Sequence, residues 1–133
     1  NHAGSGGFSY QPGSGPGYAR TAAAIYSLQV CGLYDDPMVA KGSKYLFANH
    51  SHTQQWYVYG NFYAAPAQYM IGGETWERWY KLVSDTLTKS VVNDGKFTYW
   101  KRHNHGGVGS IYTTAVFTMM LSMPYHYIPL YQR

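Results

Sequence analysis

The positions of apolar and polar residues divide this chain into five helical stretches of two alternating kinds. Those at about 16–31, 57–72 and 110–123 carry almost no charge, whereas those at about 37–49 and 74–91 have one apolar and one polar face. The first has Ser14 placed to cap it, Pro16 in its first turn, and Gly32 where a left-handed residue commonly ends a helix. Asp35 can cap the second, with Pro37 at its first position. There Met38, Gly42, Tyr45, Leu46 and Asn49 form a stripe that leaves Lys41 and Lys44 outside. The third is apolar on every side, and Pro66 must either kink it or mark its true first turn. In the fourth, Trp76, Trp79, Tyr80, Val83, Leu87 and Val91 recur at helical spacing, opposite a ladder of Glu77, Lys81, Asp85 and Lys89. A turn at Asn93-Asp94-Gly95 and a long loop lead to the fifth, which is again apolar all round and stops before Pro124. Residues 124–133 then read as an extended tail. This is an all-α pattern with no substantial sheet.

The alternation has an architectural meaning. Uncharged helices require cover on all sides, amphipathic ones on one side only, so the pattern predicts inner helices backed by outer ones in a single domain over 1–133. A layer of inner helices backed by outer ones, repeating every ~45 residues, is the signature of an α-hairpin array closed or curved around an axis, with a plain helical bundle as the alternative. The chain also repeats itself. Gly6-Gly-Phe-Ser-Tyr10 leads through a Gly-rich loop, within 1–15, into Arg20-Thr-Ala-Ala-Ala-Ile-Tyr-Ser-Leu-Gln29. Asp94-Gly-Lys-Phe-Thr-Tyr99 leads through a His- and Gly-rich loop into Ser110-Ile-Tyr-Thr-Thr-Ala-Val-Phe117.

Composition sharpens this picture. Charged residues are 12% of the chain and aromatics 18%, with 15 tyrosines, so much of the surface is either uncharged or covered by something else. The net charge of +4 comes with no dense basic run, which argues against nucleic acid as a partner. Prolines and polar residues within the uncharged stretches make them poor membrane spans. Cys31, the only cysteine, is expected to be a buried small hydrophobe and leaves the redox compartment open. The loop-like opening, Asn1-His-Ala-Gly-Ser-Gly-Gly7, reads as the start of a processed or excised piece, with a lean towards a location outside the cytoplasm.

The paired Gly-Phe elements, each leading through a Gly-rich loop into a small-residue helix, resemble the repeats of the terpenoid cyclase and protein prenyltransferase superfamily. The likeness is nearest to bacterial prenyltransferase or squalene-oxidase repeat-containing proteins. It extends to Trp56-Tyr-Val-Tyr-Gly-Asn-Phe-Tyr-Ala-Ala65 and to Met123-Pro-Tyr-His-Tyr-Ile-Pro-Leu-Tyr-Gln-Arg133. It implies that the chain is the C-terminal part of an α/α toroid. The rest of that ring, or a second copy of the chain, would be its partner, and an apolar or isoprenoid-like molecule its ligand.

The chemistry of that superfamily is missing from this chain. A cyclase that protonates an alkene needs an acidic cluster of the form Asp-x-Asp-Asp. The six acids here are Asp35, Asp36, Glu74, Glu77, Asp85 and Asp94, all on turns, caps or outer helices. The zinc pattern of the prenyltransferases is also absent, because Cys31 has no acid two residues away. Two candidate sites remain. His50-Ser-His52 and His103-Asn-His105 are His-x-His pairs able to chelate Zn, and alternating helix directions would bring both loops to one end of the array. Tyr57, Tyr59, Phe62, Tyr63 and Tyr69 crowd one helix, where they either line a pocket for a flat or polyisoprenoid ligand or pack the core. The leading expectation is a non-catalytic module acting in assembly or binding. A fragment of an enzyme whose catalytic acids lie elsewhere, and a metal-binding protein, are the alternatives.

Overall fold

A computed structural model describes residues 2–103 and 109–126. It is all-α, with α1 at Tyr18–Val30, α2 at Pro37–Ala48, α3 at Tyr57–Ile71, α4 at Gly73–Ser90 and α5 at Ser110–Ser122. The sheet is minimal: β1 (Val92–Asn93) pairs antiparallel with β2 (Thr98–Tyr99). Met123–Tyr125 form a single 3-10 turn where an extended tail is expected; the rest of that tail lies outside the described residues.

The helix ends follow local chemistry, with two corrections to the sequence reading. Gly32 stops α1 as expected: at φ 86° its N–H reaches the Gln29 carbonyl and the Leu33 N–H reaches that of Leu28, a Schellman closure. The cap of α2 is Asp36 rather than Asp35, its carboxylate accepting from the Met38 N–H at 2.7 Å with Pro37 next in line. Ser14 caps nothing. Its hydroxyl closes a local turn on Gln11, and α1 begins after Gly17. Cys31, as the residue after α1, is exposed rather than buried.

Helix α3 lies between α1 and α5 and also packs against α4, while α2 packs against α1. Ten of its fifteen residues are buried, as an uncharged stretch requires. Pro66 stands inside the helix, not in its first turn, and deprives the Phe62 carbonyl of its usual donor. Helix α4 buries Trp79, Val83 and Leu87, each worth about 1.5–3 kcal/mol relative to exposure. Its outer ladder stays wet, with Lys81 and Asp85 paired at 3.5 Å. Val91 falls beyond the helix and is exposed. The buried stripe of α2 is Val39, Gly42, Ser43 and Leu46, rotated from the expected one because Gly42 is the point of closest approach to α1. Helix α5 buries only Thr113, Val116, Phe117 and Met120; Ile111 on its other side is 89% exposed.

The starts of α1 and α5 use similar hydrogen bonds. Thr21 Oγ1 donates to the Gly17 carbonyl at 2.8 Å, and Thr113 Oγ1 does the same to Gly109 at 3.3 Å. Each helix start also holds the preceding segment: the Phe8 N–H donates to Thr21 Oγ1, and the Trp100 N–H to Thr114 Oγ1, one residue further into its helix. Trp100, at 8% exposure, is buried, and its indole N–H closes the end of α4 on the Leu87 carbonyl; Phe97 is 59% exposed.

A Cβ built on Gly42 would lie 2.4 Å from Cγ2 of Ile25, a fully buried and stiff side chain. Alanine would gain about 1 kcal/mol of helix propensity but overpack a core contact, which costs about 1–3 kcal/mol. Gly42→Ala is therefore expected to lower stability by about 1 kcal/mol in urea denaturation, and Gly42→Val by more.

Candidate functional site

The five aromatic residues named on the third helix separate by helical phase. Tyr59, Phe62 and Tyr63 share one face of α3 and touch one another, with ring centroids 5.1 Å apart for Tyr59–Tyr63 and 5.0 Å for Phe62–Tyr63. Tyr26 of α1 joins them at 6.0 Å from Tyr63, and Trp56 at 6.5 Å from Tyr59. On α5, desolvation first and then the Tyr59 phenol raise the pKa of Tyr112. The ring contacts make an aromatic strip across α1 and α3, on which Trp56 and Tyr59 remain 49% and 46% exposed. The Tyr59 phenol is also held protonated to higher pH than usual, first by its hydrogen bond with Tyr63 and then by desolvation.

Tyr57 and Tyr69 do not belong to this strip. Tyr69 stands edge-on to Trp76 at 5.0 Å and shares a 2.8 Å hydrogen bond with Nδ1 of His126. Tyr57 is 1% exposed and belongs to the core at the opposite side of α3.

Around Tyr57 the histidine loops meet. Its ring stacks on His103 at 5.0 Å and meets His50 edge-on at 5.7 Å; His50 also stands 6.0 Å from Tyr18. Two of the four histidines singled out by spacing therefore do share one end of the molecule. His52 lies exposed in its loop, and His105 lies outside the described residues. Among the described residues no group of three or more His, Cys, Asp or Glu side chains is placed to hold a metal ion.

Beneath the histidines is a buried polar centre. The Tyr18 hydroxyl donates to Asn61 Oδ1 at 2.8 Å, and Asn61 Nδ2 donates to the Tyr57 carbonyl. Desolvation pushes the Tyr18 pKa far up. The nearby indole N–H of Trp79 offsets this in part, without the geometry of a full hydrogen bond. The Tyr57 hydroxyl is buried without a partner among the described residues, and its pKa is pushed up to about 12 by burial. His50 is shifted the other way: desolvation first, and then the charge on His52, lower its pKa.

A second feature carries residues the sequence reading did not select. An open groove of about 990 Å³ runs between the N-terminal loop (Phe8, Ser9, Tyr10), α1 (with Tyr18 and Arg20) and the start of α3 (Trp56, Tyr59). Arg20 is its one charged residue, and none of the six acids lines it. The guanidinium lies directly over Gly17, where a Cβ would stand 2.5 Å from Nη2. The signal available in the sequence was that Arg20 is the only charge on the three uncharged helices.

Comparison of the chain with protein-family models, with curated proteins and with solved structures finds no match.

Two measurements check this description. Because the folded pKa of His50 lies below its ordinary 6.5, the unfolded chain binds that proton more readily. The stability from a neutral His50 is complete above pH 6.5 and is lost as pH falls towards the depressed folded value. His50→Asn should flatten this part of the stability profile measured by urea denaturation between pH 7.5 and 5. The phenols should separate as well. Tyr18→Phe strands the buried Asn61 Oδ1 and should cost about 1–3 kcal/mol, whereas Tyr57→Phe removes an unpartnered hydroxyl and should be close to neutral.

Proposed function

We propose that this chain is a non-catalytic helical-repeat module acting in binding or assembly, an arc of an α/α toroid that other segments or a second copy complete. One observation carries the reading: the aromatic strip formed by Tyr26, Trp56, Tyr59, Phe62 and Tyr63 crosses from α1 to α3, and its Trp56 and Tyr59 leave about half of their surface to solvent. Contiguous apolar surface of this kind usually marks an interface. The arrangement of α3 between α1 and α5, with the charged α4 behind, is what a curved array needs, and the repeated threonine device at the start of α1 and α5 fits successive units of such an array.

The placement of acids supports binding over catalysis. Asp36 is engaged in a cap with Asp35 beside it, Asp94 accepts from the Lys96 and Phe97 N–H groups in a turn, and Glu74, Glu77 and Asp85 belong to α4; none of the six lines the groove beside the strip. No described helix is long and apolar enough to cross a membrane.

A second reading has one observation in its favour. His50 and His103 converge on Tyr57, which suits a zinc site at the histidine loops, with His52 and His105 as the further candidates. Elemental analysis of protein purified without chelators decides it: stoichiometric zinc, lost in a His50→Ala/His103→Ala variant, would establish it, and its absence would remove it.

For the main reading, multi-angle light scattering of the purified chain at micromolar concentration should give a mass above 15.0 kDa. Tyr59→Glu, which places a charge within the strip, should shift the population to monomer and increase binding of a hydrophobic dye. A folded wild-type monomer that binds no dye would refute the assembly reading.

A further inference from the structure

We propose that the groove between the N-terminal loop and the starts of α1 and α3 binds an acidic glycan, a run of pyranose rings bearing carboxylates. The inference goes beyond the assembly reading, and because Trp56 and Tyr59 belong to both the strip and the groove, glycan binding and self-association would compete for them.

The shape comes first. At about 990 Å³ the groove lies near the upper end of small-molecule sites, but it is open rather than enclosed, which suits a segment of a chain. Its walls offer flat surfaces at different heights. Tyr10 is 76% exposed on the loop side, and Trp56 and Tyr59, in mutual edge contact, stand about half exposed on the α3 side. Pyranose rings present faces of C–H groups that pack on such platforms, and their hydroxyls need polar partners along the edge. Ser9, Gln55 and the phenols of Tyr10 and Tyr59 supply these. Small residues on the α1 side, Ala19, Ala23 and Ala24, keep the floor low enough for a ring to enter.

Charge then selects among ring-bearing ligands. Arg20 has no ion pair among the described residues, and no acid in the lining opposes a carboxylate. Gly17 leaves the space over which the guanidinium lies, and the side chain is exposed at the groove, open to an incoming ligand. A guanidinium recognises a carboxylate through two parallel hydrogen bonds, so one ring's carboxylate would meet Arg20 while those of its neighbours face the open side. The other occupants fit less well. A hydrocarbon tail would leave Arg20, Ser9 and Gln55 without function and would stay wet along the open side. A neutral glycan would not use Arg20. The missing acids also mean that bound sugar would not be cleaved by the paired carboxylates of a glycosidase, which agrees with a binding role.

The test is a titration with trigalacturonate, followed by calorimetry and by tryptophan fluorescence, because Trp56 would be covered. The wild-type chain should bind, more weakly as salt rises, and neutral cellotriose should bind at least about tenfold less tightly. A hydrogen bond to a charged group is worth about 1.5–3 kcal/mol, so Arg20→Gln should weaken trigalacturonate at least about tenfold and remove the salt dependence. Trp56→Ala should weaken both sugars by a similar factor. Gly17→Ala, which displaces the guanidinium, should resemble Arg20→Gln. Both mutated side chains are solvent-facing, and circular dichroism confirms that each variant is folded. Absence of binding by folded wild type, binding unchanged in Arg20→Gln or Trp56→Ala, or tighter binding of 2-naphthoate or farnesol than of trigalacturonate would each overturn the proposal. Light scattering on the same samples reads the assembly state separately, so failure of one reading is not mistaken for failure of the other.

Discussion

The hydrogen bond from the Gln29 amide to the Ala67 carbonyl, 3.0 Å long and buried, expresses the constraint on which the rest of the molecule depends. Helix α3 has so little contact with water that its buried polar groups depend on its neighbours, although the Tyr57 hydroxyl and Gln68 Nε2 find no partner among the described residues. Gln29 of α1 reaches the carbonyl next to Pro66, whose own missing N–H leaves the Phe62 carbonyl, a turn earlier, without its usual donor. Ser43 of α2 donates to Gln68 Oε1 at 2.7 Å, and Tyr18 of α1 answers Asn61. Two neighbouring helices therefore carry polar residues in their buried stripes, which would be errors in an ordinary core. The same demand explains close backbone approach, for a Cβ at Gly60 would come within 2.9 Å of the Tyr18 ring. Small residues on α3 and long polar ones on α1 are two halves of one solution.

With α3 fixed, the positions of the other elements follow. Helices α2 and α4 cover their partners from outside and need only one apolar face, so all of the chain's charged ladder can be spent on solvent. Phe8 and Trp100, in the segments before α1 and α5, pack on or within the core, and each is also tied through its backbone N–H to a threonine in the following helix. These ties also place both segments at the same end of the molecule as the histidines and the groove.

The coarse architecture was legible because it rests on burial, and burial is written in charge. Three uncharged stretches and two amphipathic ones became the five helices, nearly at the expected bounds, and the Gly32 stop and the outer ladder of α4 are where spacing puts them. What was not legible depends on choices between adjacent residues. Asp35 and Asp36 are equal as caps until the chain direction before Pro37 is known. The stripe of α2 keeps Gly42 and Leu46 but takes Val39 and Ser43 in place of Met38, Tyr45 and Asn49, since the buried Ser43 answers Gln68. Phe97 looked like the partner of Phe8 since both follow glycine-containing turns, yet it is 59% exposed, while Trp100 is buried and meets the Leu87 carbonyl. Cys31 was misread by a single residue of helix length.

The aromatic residues of α3 show how one sequence feature divides into two physical roles. On a helix, residues two positions apart face nearly opposite directions, so Tyr57 and Tyr59 cannot act together. Tyr57 turned inwards becomes the shared surface of two histidine loops, and its hydroxyl is so desolvated that it stays protonated. Tyr59 turned outwards links the aromatic strip to the groove, where its ring is a platform and its hydroxyl remains available at the edge. No acid is present on either side, and this has different consequences for the two. Inside, it avoids an uncompensated charge in a dry core that already holds unpartnered polar atoms. Outside, it leaves Arg20 as the single fixed charge of an otherwise neutral, aromatic surface, so the field in the groove has one sign and one origin. A site built this way can orient an anion-bearing ring, with Arg20 setting the position of the charge and the aromatic faces that of the ring.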